Sequence, residues 1–83
     1  MNKLFDDQGF ADYVYWAKHD RKTFDKINRL LQSIERNGAM GGIGKPERLK
    51  YGSGYSRRID DANRLVYEIK NDTIIVTACK GHY

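Results

Sequence analysis

Apolar residues recur at two different spacings along this chain. From Phe10 to Ile34 they return every three or four positions, and from Tyr55 to Cys79 they mostly alternate or run together. The first spacing predicts helices and the second predicts strands. Asn2, Lys3, Leu4 and Phe5 read as a short opening strand. Asp6 suits the N-cap of a first helix, and Asp7 suits the positive end of its dipole. Gly9 in the first turn is unfavourable there. Phe10, Tyr13, Val14 and Ala17 then predict one apolar face. His19-Asp20 interrupts the pattern, and Asp20 can cap a second helix whose stripe is Phe24, Ile27, Leu31 and Ile34, widened by Leu30. Asn37-Gly38 marks its end, because glycine enters the left-handed conformation without a Cβ penalty. The two helices are expected to form an antiparallel hairpin.

Residues 38–44, Gly-Ala-Met-Gly-Gly-Ile-Gly, predict a flexible connecting loop. After Pro46, Tyr55, Arg57 and Ile59 alternate with Ser56, Arg58 and Asp60. A turn is expected at residues 60–63. Leu65, Tyr67 and Ile69 share one face against Arg64, Val66 and Glu68 on the other. Asn71-Asp72 fits a tight hairpin turn, and the run from Thr73 to Cys79 reads as a buried strand. The expectation is one α+β domain over residues 1–83, with two N-terminal helices packed on a twisted antiparallel β-sheet.

Composition narrows the class. At 40% hydrophobic and 31% charged residues, the chain is too apolar for disorder and too polar for a membrane protein. No apolar run approaches the ~20 residues of a membrane helix. The N-terminal residues carry no signal-peptide pattern. A single cysteine, Cys79, excludes an internal disulfide and fits a reducing, cytoplasmic setting. Its apolar strand gives it no reason to be reactive. The charge is concentrated: Lys45, Arg48, Lys50, Arg57 and Arg58 surround one acid, Glu47, so this stretch alone carries +4, the net charge of the whole chain. Such a cluster is the footprint of a polyanion partner, or else a solvated basic face.

Several chemistries are poorly supported. Gly44-Lys45 is preceded at P-loop distance by Ala39 and followed by Pro46, so the phosphate-loop pattern fails. His19, His82 and Cys79 have no zinc-type spacing, and no metal or other cofactor is expected. What remains is Glu47 beside Lys45 and Lys50, Arg58 and Arg64 flanking the 60–63 turn, and His82-Tyr83. Singly, these are surface ion pairs and a solvated terminal histidine. Together they could cleave RNA. The 2′-hydroxyl must lose a proton, the phosphorane-like transition state gains negative charge, and the leaving 5′-oxygen must gain a proton. A carboxylate or lysine, arginines and an imidazole can fill these roles, each acid–base group contributing ~10²–10⁴-fold.

Asp12-Tyr13-Val14-Tyr15-Trp16, Lys26-Ile27-Asn28-Arg29-Leu30, Gly44-Lys45-Pro46-Glu47-Arg48-Leu49-Lys50, Ser56-Arg57-Arg58-Ile59-Asp60, Arg64-Leu65-Val66-Tyr67 and His82-Tyr83 follow one another in an order and spacing specific as a combination. In these segments the sequence resembles the YoeB/Txe toxins, a branch of the RelE/ParE superfamily of bacterial type II toxin–antitoxin systems. The resemblance implies a RelE-like, microbial-ribonuclease-like fold and an endoribonuclease that cuts mRNA in the ribosomal A site, without a metal. It places Glu47 as general base, His82 as general acid, Arg64 on the phosphate charge and Tyr83 against the substrate. Lys50 and Arg58 match basic positions of the same site, and Lys45 and Tyr55 are added as RNA contacts. A cognate acidic antitoxin and a homodimer are implied partners. Tyr55 stands where the family usually has tryptophan, Arg48 replaces a frequent proline, Phe5 and Phe10 replace common tryptophans, and residues 38–40 lack the usual Pro-Phe. The alternatives are a non-catalytic relative that poisons gyrase, and a plain RNA-binding module using Tyr51, Tyr55 and Tyr83 as stacking platforms.

Overall fold

The computed structural model describes residues 1–81; the expectations placed on His82 and Tyr83 lie outside the described residues. Strand β1 (Asn2–Phe5) leads into helices α1 (Asp7–His19) and α2 (Arg21–Asn37), followed by strands β2 (Glu47–Arg48), β3 (Tyr55–Arg58), β4 (Arg64–Lys70) and β5 (Thr73–Ala78). The expected α+β architecture is present, with the two helices packed on one face of a five-stranded sheet.

The strand order is β1-β5-β4-β3-β2. Strands β2 to β5 form the antiparallel meander, but β1 runs parallel to β5, from Asn2↔Thr73 to Phe5↔Val76. The sheet is therefore mixed rather than wholly antiparallel. The helical hairpin carries the chain from one edge to the other. The meander then returns strand by strand, and its last strand arrives running in the direction of the first.

Local chemistry explains the element boundaries. Asp6 caps α1 by accepting from the Gly9 amide at 2.8 Å. Asp20 closes α1 with its own N–H to the Trp16 carbonyl and opens α2 with its carboxylate on Thr23. Asn71 and Asp72 both take positive φ, 49° and 58°, as a two-residue hairpin turn requires. The core joins Ile27, Leu30, Leu31 and Ile34 of α2 to Leu65 and Tyr67 of β4 and to Ile74 and Val76 of β5.

Helix α1 is rotated from its expected face. Phe10 is 57% exposed and Ala17 is exposed, whereas Gly9 and Asp12 are buried and Trp16 packs on the core. The cause is polar. Asp12 accepts from the Cys79 amide at 3.0 Å, and the Trp16 indole donates to the Cys79 carbonyl at 2.8 Å. Gly9 lets the helix approach: a Cβ there would lie 2.2 Å from the Val76 carbonyl oxygen.

Candidate active site

Opposed residues of an antiparallel pair lie on the same face of a sheet, and faces alternate along each strand. The helices cover the face bearing Tyr55, Arg57, Leu65, Tyr67, Ile74 and Val76. The other face therefore carries Glu47, Ser56, Arg58, Arg64, Val66 and Glu68, from the registers Glu47↔Ser56, Ser56↔Val66 and Arg58↔Arg64.

That helix-free face brings together three of the expected site residues. Glu47 is exposed at the start of β2, one strand and two residues from Arg58. Arg58 and Arg64 are direct cross-strand partners, as the 60–63 turn predicted. The Asp60 carboxylate fixes this turn by accepting from the amides of Ala62 and Asn63, each at 2.8 Å. Arg58 makes an exposed ion pair with Asp61 at 3.7 Å, and the Arg64 guanidinium donates to the Asp60 carbonyl at 3.0 Å. The chain returns to the same place after β5. Gly81 donates to the Asn63 side chain at 2.8 Å and accepts from the Arg64 amide at 3.0 Å.

Lys45 and Lys50 border β2 and are exposed; Lys45 takes a positive φ of 50°, and the Lys50 ammonium sits 6.0 Å from the Tyr51 ring centroid. Tyr55 does not join this group. It lies on the helix-covered face, stacked on Tyr67 at 5.6 Å, with the Arg48 guanidinium 5.5 Å from its ring centroid. A separate cationic recess of about 280 Å³ lies between α2 and the 60–63 turn, lined by Lys22, Thr23, Lys26, Arg29, Ile59 and Asp60.

Arg57 departs most from the sequence expectation. The sequence places it in the basic cluster around Glu47, yet it is 0% exposed. All five of its guanidinium N–H groups have acceptors: Tyr67 Oη, Ser33 Oγ, and the carbonyls of Ile43, Gly38 and Ala39. The expected flexible loop at 38–44 is instead folded around this side chain. Gly42 and Gly44, with φ of 90° and 89°, supply the room, since a Cβ on either would strike Ser33 or Leu30. Ser33, Arg57 and Tyr67 were not recognised as a network. One signal was legible: Arg57 alternates in register with Tyr55 and Ile59, which places it on the inner face. Burial also raises the Tyr67 phenol pKa, with the Arg57 hydrogen bond opposing that effect.

Cys79 is buried, and desolvation, aided by the nearby Asp12 charge, pushes its thiol up to about 12. This agrees with the inert thiol expected from the sequence. Among the described residues, no group of three His, Cys, Asp or Glu side chains is placed to hold a metal, and no helix is long and apolar enough to cross a membrane.

Comparison with known proteins converges on one family. A family model described as "YoeB-like toxin of bacterial type II toxin-antitoxin system" matches residues 5–83. Toxin YoeB of Streptomyces coelicolor is 47% identical, and toxin YoeB of Escherichia coli K12 is 39% identical, each alignment covering 100% of both chains. The solved YoeB dimer from Staphylococcus aureus superposes with a TM-score of 0.95 at 49% identity, covering 100% of this chain and 98% of that one. The YoeB-YefM complex from the same organism gives 0.93 at 48%, with the same coverage. With matched segments running from β1 to the final residues, in a fold of the same topology, this chain belongs to the YoeB-like toxins of bacterial type II toxin–antitoxin systems.

Proposed function

We propose that this toxin is an endoribonuclease that arrests translation by cutting mRNA in the ribosomal A site. The observation that carries this reading is the direct opposition of Arg58 and Arg64 on the face that also presents Glu47. Two guanidinium groups carried by opposed positions of adjacent strands can donate to the oxygens of one phosphodiester. Glu47 takes the proton of the 2′-hydroxyl, whose oxygen attacks the adjacent phosphorus. Arg58 and Arg64 hold the charge that grows on the non-bridging oxygens. The bond from phosphorus to the 5′-oxygen breaks, and His82 gives that oxygen a proton. The products are a 2′,3′-cyclic phosphate and a 5′-hydroxyl. Gly81, tied to Arg64, is the residue preceding His82 in sequence, which supports the assignment. Tyr83 orients the substrate, and Lys45 and Lys50 contact flanking phosphates. These side chains suffice for transesterification with no added cofactor.

Arg58 and Arg64, with the exposed Lys45 and Lys50 beside them, suit an acidic, partly disordered antitoxin that folds as it binds. The Staphylococcus aureus relatives solved as a complex with YefM and as a dimer support such a partner and a homodimer for this chain. The cytoplasm, where mRNA is translated, is the compartment this function requires.

The test is a reconstituted translation reaction with 5′-end mapping of the mRNA. The intact chain is expected to cut in the A site. Glu47→Gln, and a chain ending at Gly81, should each cut at least ~100-fold more slowly while keeping the fold. Full cleavage by both would overturn the assignment. Gyrase inhibition without cleavage would mark a topoisomerase poison, and RNA binding without turnover, indifferent to Glu47→Gln, would mark a binding module.

A further inference from the structure

We infer that Arg57 is a positioning residue for Glu47, acting through segment 38–46 rather than by touching RNA; this rests on Glu47 being the base of the reaction proposed above. Strand β2 is only two residues long and is held by two register pairs, Glu47↔Ser56 and Arg48↔Tyr55. So short an edge strand does little by itself to fix a side chain. The segment leading into it is held far more firmly. Arg57 donates to the carbonyls of Gly38, Ala39 and Ile43 at 2.9, 3.3 and 2.8 Å. The Tyr67 hydroxyl donates to the Ala39 carbonyl at 2.6 Å, and the Ile43 amide donates to Ser33 Oγ at 3.1 Å. The amide of Arg58, the next residue on β3, donates to the Gly44 carbonyl at 2.7 Å.

Only Lys45 and the rigid Pro46 separate Gly44 from Glu47. The carbonyls that Arg57 gathers lie just upstream of Gly44, so they hold in place the loop that makes the Gly44–Arg58 bond and leads on to the carboxylate. No carboxylate is among the five acceptors of the buried guanidinium. Oxygen dipoles, including those just beyond the C-terminal end of α2, take up its charge. The arrangement needs a planar fork of five donors. Lysine, a point charge with three donors, cannot reproduce it.

Single-hydroxyl deletions test this with little disturbance to packing. Ser33→Ala removes one acceptor of Arg57, and Tyr67→Phe removes another while keeping the ring stacked on Tyr55. Each is expected to lower kcat for mRNA cleavage about 10-fold or more with KM little changed, because a sub-ångström shift of a catalytic group acts on the chemical step. Arg57→Lys should lower kcat at least as far, since lysine cannot hold the same acceptors. In a Glu47→Gln background the hydroxyl deletions should cost nothing further, since the group they position is gone. Unchanged kcat in folded variants, or full additivity with Glu47→Gln, would overturn the inference. So would unfolding of both hydroxyl variants, which would make the network part of the core and no more. Wild-type activity in Glu47→Gln alone would instead remove the assignment of Glu47.

Discussion

Arg58 and Arg64 show what a single residue contributes at this site. Like charges directly opposed on neighbouring strands cost ~0.2–1 kcal/mol. The exposed Arg58–Asp61 pair, at 3.7 Å, returns at most a comparable amount. Arg58→Ala is therefore expected to leave the denaturation midpoint unchanged or slightly raised while lowering RNA cleavage at least ~10-fold. A clear loss of stability, or undiminished cleavage, would contradict this. The opposition of the two arginines was legible because the turn residues Asp60 to Asn63 set the register between them. The burial of Arg57 was half legible. Strand alternation put it on the inner face, but the acceptors that make an inward arginine tolerable lie 10 to 24 positions away in sequence, and local pattern does not reveal them.

Among the elements, α1 best separates local preference from tertiary demand. Its apolar residues predicted a face of Phe10, Tyr13, Val14 and Ala17. The helix keeps Tyr13 against the core, but it turns Asp12 and Trp16 inward to meet the backbone of Cys79 and Gly9 inward against the Val76 carbonyl. A buried aspartate satisfied by an amide 67 positions away leaves no periodic trace in the sequence. Gly9 looked like a weakness of the helix and is the condition of its docking. Alanine at position 9 should favour the isolated helix by about 1 kcal/mol. In the folded protein its Cβ would collide with the Val76 carbonyl, an overpacking that costs ~1–3 kcal/mol. Gly9→Ala is thus expected to lower stability on balance, read as a lower urea midpoint with unchanged slope. Most of the second helix was legible: of its expected stripe Ile27, Leu30, Leu31 and Ile34 are buried and Phe24 is half-buried, while the buried Ser33 left no apolar signal. The packed form of segment 38–44 is not legible, because glycines that allow close packing and glycines that allow flexibility are indistinguishable in one sequence.

For the whole molecule, stability should form a plateau in pH with two different edges. Hydrogen bonds from Thr23 hold the Asp20 carboxyl below its ordinary value, and hydrogen bonds from Lys3 and the terminal amine do the same for Glu35. Both groups stabilise the fold when ionised, so their contribution is present above the ordinary carboxylate range and is lost as pH falls through it. Cys79 has the opposite sense. Its thiol stays neutral in the fold up to about 12, so the unfolded chain ionises first and stability declines as pH rises through the ordinary thiol range toward that value. Thermal unfolding followed from pH 3 to 11 should show Tm falling at both ends, and Cys79→Ala should flatten the alkaline limb alone. An unchanged alkaline limb would show that another group governs it. The fold class was legible from the order of spacings, helical and then alternating. The parallel partner of β1 was not, because pairing between the first and last strands depends on the route of the whole chain.

That route bears on how the protein comes into being. Strand β5 stands between β1 and β4, so residues 73–78 join the opening strand to the rest of the sheet. A ribosome making this chain delivers both helices and four strands before the segment that unites them emerges. Polypeptides whose synthesis halts short of residue 73 lack that seam together with Ile74 and Val76 of the core, and a chain ending at Asp72 is expected to be cut rapidly by an added protease that leaves the intact toxin whole.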